Sequence, residues 1–501
     1  MKKLPALLAC LLLPASCRLV HGAFESSAGV GWGNYAIFSR DLTNPSLLND
    51  YPFLRDAPVY HLSLTVAPDL KSAEGRMSVR FTNTEPKALP WVELVLLPNI
   101  AAGSLTVRSV EVDGLREPAE LREDKMVLRV SFPAPLAPGA RAVISVRYSL
   151  EVPDQPAVGF GGFQLSHGIL SLGYAYPMIP TGARWPYGKP ARWGDLTANP
   201  VSYYVVDLSY PSALTLAAPG VVVKRSVQGP TEHVLIAHGP ARDLFLALGS
   251  DLVASRLRVG QVEISSFAPK ADAEASSWVL DDARGALESF EKRFGPYPYR
   301  SLTFVAAPFE AYGLEFPGII VLTSWLANNA TRTVHSVPVR RLLESTVAHE
   351  TAHQWFYALV GNNQITEPWI DESFAQYATW LYYLDRYGAE AAGRFFRSFD
   401  ATWRLVGDRP IPIGQPVSAY TPREYDADIY GRGPLFLAAL SSRMGAPAFD
   451  RFAHDLQAQY RWKTVTSAQV EQSAERACEC SLGSLWSAWV GGPGPRVAAA
   501  P

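Results

Sequence analysis

Long apolar runs are missing from this sequence, and so are blocks of like charge. No stretch reaches the roughly 17–25 apolar residues that a helix needs to cross a bilayer, so no transmembrane segment is expected. Lysine and arginine form no dense run, and the formal net charge is only −2. A nucleic-acid binder carries a basic patch or stripe. The charge pattern therefore argues against nucleic acid as a partner and fits a mixed-sign solvated surface. Charged residues make up 18% of the chain and hydrophobic ones 48%, a balance that excludes disorder over most of its length. Cysteine is scarce. Of the four, Cys10 and Cys17 lie near the N-terminus, which leaves Cys478 and Cys480. Two cysteines one residue apart cannot staple distant parts of a fold. They read as two small residues near the start of the last helix, with a weak metal or redox site as the alternative. There is no internal repeat.

What is present begins at the N-terminus. Lys2 and Lys3 precede an apolar stretch over 4–14, with small residues at 15–17 and 20–23. A basic start, a short apolar stretch and small residues at a cleavage point describe a secretory signal peptide, here 1–22. Cleavage after Gly22 would release the chain into the periplasm or the extracellular space. Lipidation at Cys17 would instead make a lipoprotein, but Pro14 stands where leucine is usual, and soluble release is preferred.

The 501 residues exceed what one core supports, since single cores stop growing near ~250–300 residues. A loop-rich extension occupies 23–55. Apolar and polar residues then alternate over 60–66, 77–81, 91–97, 105–112, 126–132 and 142–148, and again over 203–208, 220–223, 234–237 and 244–248. Many short strands between turns predict a β-rich domain over 56–255. Helical spacing starts near Ala275, and the pattern 278–294 stops at Gly295-Pro296. Strands are predicted at 302–307 and 319–322. Two long helices follow, 339–360 ended by Gly361, and one opened by Pro368 that runs to Tyr387 before Gly388. A second, mainly helical domain is assigned to 256–490, and the Gly-, Pro- and Ala-rich tail 491–501 is expected to be disordered.

The chemistry lies in His349-Glu350-Thr351-Ala352-His353. Residues four apart share a helix face, so both imidazoles can reach one metal ion. Glu350 sits one step around, beside any water on that metal. Catalytic zinc commonly takes three protein ligands and keeps one position open. Alone, the motif could be two surface histidines on an ordinary helix. The chain has only nine histidines, however, and a second helix carries an acid, Glu372, with eighteen residues between it and His353.

The run from His349 through Tyr383 resembles the zinc core of the M1 aminopeptidases, which are gluzincins, and matches their pattern H-E-x-x-H-x18-E without a gap. The resemblance extends over most of 55–490. It implies a multidomain α+β fold, an all-β saddle or sandwich followed by a thermolysin-like, mainly helical zinc peptidase domain. It also implies one Zn²⁺ per chain, held by His349, His353 and Glu372, with Glu350 as general base and a peptide or protein as substrate. Tyr430-Gly431-Arg432-Gly433 is similar to the family's Tyr-x-Lys-Gly element, with Tyr425 before it, and makes Tyr430 the donor to the developing oxyanion. Without the resemblance, Tyr430 reads as a packing residue. Tyr312-Gly313-Leu314-Glu315-Phe316 falls where the family has Gly-x-Met-Glu-Asn. Glu315 would then bind the substrate's free amine and Gly313 its backbone. The polar clamp that animal-type members carry in the β domain has no counterpart over 174–178, and the family's large C-terminal helical domain is not expected. Asp371 is the one candidate for a group behind the ligand histidines. An endopeptidase, an epoxide-opening hydrolase on the same zinc core, and a zinc-containing peptide-binding protein remain as alternatives.

Overall fold

The computed structural model describes residues 30–100, 104–154, 162–191, 193–334, 336–407 and 411–491. The expected signal peptide with Cys17, and all of the expected tail except Gly491, lie outside these residues.

The alternating segments build an eight-stranded sheet. Its spatial order is Val221–Gln228, Thr231–Ala241, Ser202–Pro211, Val59–Val66, Ser72–Thr82, Arg141–Glu151, Leu105–Val112 and Leu115–Arg116. Only the central pair, Val59–Val66 with Ser202–Pro211, is parallel. Side chains alternate between the faces of a strand, and here each face meets its own core. Tyr203 and Val205 bury against the helical half, whereas Tyr204 and Val206 bury within the β-rich half. A three-stranded and a four-stranded sheet complete the β-rich half. The four-stranded sheet includes Phe163–Ser166, Ile169–Leu172 and Thr215–Ala217, too short to show a period in sequence.

A mixed five-stranded sheet follows, ordered Leu252–Val259, Val262–Pro269, Ser301–Ala307, Ile319–Thr323 and Gly313–Phe316. The boundary expected at 255/256 falls inside its first strand. Gly313–Phe316 is an edge strand, paired only with Ile319–Thr323. The principal helices are α1 (Ala273–Phe294), α2 (Val339–Ala352) and α3 (Trp369–Trp403). At Gly388, with φ 77°, α3 is interrupted where the sequence places its end, and then resumes.

Two expectations need correction. The helix read over 339–360 ends at Ala352, and 353–360 folds as turns with a bridge between Phe356 and Val360. The spacing of Trp355, Phe356, Leu359 and Val360 reflects their burial in an aromatic-rich core, which does not require a helix. Arg242, fully buried, reaches across from the β-rich half and donates from Nε to the Tyr357 carbonyl at 2.6 Å, while Tyr357 takes φ 126°. Cys478 and Cys480 are disulfide-bonded to each other. They close the end of helix Ser467–Cys478, where Glu479 has φ 52°, and do not start the last helix, Gly483–Trp489.

The loop-rich segment is not peripheral. Ile37, Phe38, Leu42 and Leu54 bury in the core of the helical half. Thr43 N donates to Pro298 O (2.8 Å) and Arg300 N to Asp41 O (2.7 Å). Asp41 Oδ2 also lies 2.8 Å from His238 Nδ1 of the large sheet, with both side chains fully buried. One strap thus touches both halves. Among the described residues, no helix is long and apolar enough to cross a membrane.

Candidate metal centre

One turn of α2 separates His349 from His353, and the first turn of α3 carries Glu372. Their atoms converge. His349 Nε2 lies 3.1 Å from Glu372 Oε2 and 3.1 Å from His353 Nε2, and His353 Nε2 lies 3.4 Å from Glu372 Oε2. Ligands ~2.0–2.1 Å from a tetrahedral zinc would be separated by roughly 3.3 Å, which these spacings match.

The ring nitrogens on the far side are both engaged. His353 Nδ1 donates to the Phe356 carbonyl at 3.0 Å, and His349 Nδ1 faces Gln376 Oε1 at 3.0 Å. A carbonyl only accepts, so the proton of His353 sits on Nδ1 and its Nε2 lone pair points at the convergence. This corrects Asp371 as the group behind the histidines. Asp371 instead accepts from Asn362 Nδ2 (2.8 Å) and from Glu372 N (3.0 Å). The Phe356 carbonyl can serve His353 because α2 stops at Ala352. In a continuous helix that carbonyl would accept from Val360.

Glu350 is buried on α2, and Gly313 of the edge strand lies against it. A Cβ at Gly313 would fall 2.3 Å from Glu350 Oε1, so the glycine makes room for the carboxylate. Burial pushes the Glu350 carboxyl up to about 8, against the nearby charge of His353 and with that of Glu372 adding. Glu315 is buried on the same edge strand and accepts from Gln364 Nε2 at 2.9 Å. Burial also drives its carboxyl well above the usual range, with Glu350 and Glu372 adding. Glu315, His353 and Asp371 bring ligand-type atoms within 4.8 Å of one another.

Tyr430 occupies a π-helical stretch, Asp426–Arg432, its ring 5.9 Å from that of His349 and its hydroxyl near Glu372. π-Helical turns often mark functional sites because the wider turn re-aims side chains. Ser373 of α3 donates to the Ile429 carbonyl at 2.8 Å and pins this stretch beside the metal ligands. Arg432 does not bring charge to the site. It is fully buried over the rings of Trp489 (5.4 Å) and Trp403 (6.0 Å) and donates to Ala488 O.

Two residues escaped the sequence reading. Asp195, in an aperiodic loop, stands near Glu372 and Glu315. Tyr174 lies within 174–178, where no polar group was identified, yet it is buried near the carboxyl groups of Asp243, Asp195 and Glu315. Neither position has a period or motif that would have marked it. Five carboxyl groups, from Asp195, Glu315, Glu350, Asp371 and Glu372, thus gather around two imidazoles. Such a cluster is electrically unbalanced without a cation, and the residues fit a divalent metal.

Residues 278–489 match the model of the peptidase family M1 domain. Among curated proteins, the chain is 26% identical over 270 residues to aminopeptidase M1-B of Oryza sativa subsp. japonica, covering 50% of this chain and 29% of that protein. It is 23% identical over 454 residues to aminopeptidase 2 of Candida albicans, covering 86% of this chain and 47% of that one. The chain therefore spans about half or less of the length of these relatives. Among solved structures, an M1 zinc metallopeptidase from Deinococcus radiodurans shares the fold, with TM-score 0.66 and 20% identity over 89% of this chain and 96% of that one. A mutant of that protein bound to a Tyr-Ser-Ala substrate superposes with TM-score 0.65 at 20% identity, over 89% of this chain and 97% of that one.

Proposed function

Because residues 278–489 match the model of the peptidase family M1 domain, we propose that the chain is a zinc-dependent aminopeptidase with one Zn²⁺ held by His349, His353 and Glu372. The observation that carries this reading is Glu315, a buried carboxylate on the edge strand two residues from Gly313, which itself touches Glu350. A cationic amine placed on Glu315 sets the first peptide bond beside Glu350, and a longer N-terminal extension has no such anchor. Bound zinc would supply Lewis-acid polarisation of the scissile carbonyl and acidify a water near neutral pH.

The side chains then divide the work. Glu350 takes a proton from the attacking water and passes it to the leaving amine. Tyr430 donates its hydroxyl to the negative charge that develops on the carbonyl oxygen. The edge strand offers backbone groups at Gly313 to an extended peptide. Asp195 and Tyr174 supply polar groups beside Glu315, where the sequence alone identified none.

Export is the second part of the proposal. The basic and apolar start of the chain supports it, as does the Cys478–Cys480 bond, since disulfides persist in oxidising compartments. The mass of the mature N-terminus distinguishes release after Gly22 from an acylated Cys17.

The functional test offers one peptide with a free and with an acetylated N-terminus, with and without chelator, read by mass spectrometry. Chelator-sensitive loss of single residues from the free peptide only is the expected result. Internal cuts in both peptides would discard Glu315 as the amine anchor.

A further inference from the structure

We infer that Gln364, aimed by Thr197 of the β-rich half, is the residue that positions Glu315 for the substrate amine. This inference rests on the aminopeptidase reading. Gln364 is buried in the loop between α2 and α3, and each polar atom of its amide has a partner. Thr197 Oγ1 donates to Gln364 Oε1 at 2.6 Å. Gln364 Nε2 donates to Glu315 Oε1 at 2.9 Å, with the carboxyl group of Asp371, the neighbour of proposed metal ligand Glu372, nearby.

An amide has one accepting end and one donating end. The threonine hydroxyl at Oε1 fixes which way the amide faces. Turned around, it would present its oxygen to two carboxyl groups. Thr197 is itself held. Tyr357 donates its hydroxyl to Asp243, and its oxygen lies 3.3 Å from Thr197 Oγ1, which leaves the threonine proton to the shorter contact with Gln364. Asp243 and Thr197 belong to the β-rich half, whereas Tyr357 and Gln364 follow α2. The amine anchor is therefore oriented by the junction between the halves, through Gln364 as a positioning residue that does not touch the reacting atoms.

The test compares two competitive inhibitors that differ only in the amine, leucine hydroxamate and its des-amino counterpart 4-methylpentanehydroxamate. Their Ki ratio measures the advantage that the amine confers, while the hydroxamate binds the metal in both. In Thr197→Val the ratio should fall about tenfold, the scale of one hydrogen bond to a charged group, with the des-amino Ki and the zinc content unchanged. Thr197→Ser, which restores the hydroxyl, should return the ratio to the wild-type value, and Gln364→Leu should lower it at least as far as Thr197→Val. Equal weakening of both inhibitors would assign Thr197 and Gln364 a merely structural role and overturn the inference, as would an unchanged ratio. A wild-type protein that binds both inhibitors equally would overturn the aminopeptidase reading itself, and the inference with it.

Discussion

The proposed metal centre and the proposed amine anchor adjoin each other, yet they are built in opposite ways. His349 and Glu350 come from a single helix, His353 is the residue that caps its end, and Glu372 comes from the first turn of the next one. The spacing of one helical turn does most of the placement. Glu315 depends on an edge strand, the loop between two helices and two segments of the β-rich half. A site built on one helix is robust to changes elsewhere. A site assembled from four segments is only as exact as their packing.

The sharpest break should come at Glu350. Glu350→Gln keeps the metal ligands but removes the base, so turnover should fall by ~10²–10⁴-fold with zinc content unchanged by metal analysis. Retained turnover would move the base elsewhere. Tyr430→Phe should lower kcat by ~10²-fold while the KM of a free-amine peptide stays near wild type. An unchanged kcat would return Tyr430 to packing. Next comes Arg242→Met, which leaves the Tyr357 carbonyl without its donor at 2.6 Å, while the Lys463 carbonyl loses one donor at 2.7 Å and keeps Gly361 N at 3.0 Å. A buried acceptor left unpaired costs ~1–3 kcal/mol, so the melting temperature should drop by several degrees. If the two sites are as separable as their construction suggests, the fraction that stays folded will bind zinc normally but lose amine discrimination. The smallest effect is expected at the disulfide. A bond across one intervening residue closes almost no loop, so Cys478→Ser should shift the melting temperature by less than ~3 °C.

The same contrast explains what the sequence could reveal. The convergence of His349, His353 and Glu372 was legible because helical spacing brings residues four apart together, and because α3 follows α2 directly in the chain. Glu315 and Tyr430 became legible through family resemblance, and the structure places both beside that cluster. The end of α2 was not legible. The turn that follows it is bonded by a guanidinium more than a hundred residues away, and the buried aromatic residues after His353 keep a helical spacing without a helix. Asp195, Tyr174, Thr197 and Gln364 were missed for a related reason. Each acts from a loop or an irregular connection, where neither periodicity nor propensity marks a side chain that points inward.

The strap over residues 30–55 sets an order of events. It is synthesised among the first described residues, yet its partners at Pro298, Arg300 and His238 come far later. Trp32 can stack on His61 and accept from Arg80 as soon as those strands are made, but Asp41 and Thr43 find their partners only once residues 238–300 exist. The earliest part of the described chain to be made is thus completed by residues made far later, and the strap adds one more tie between halves that Tyr203, Val205 and Arg242 also join.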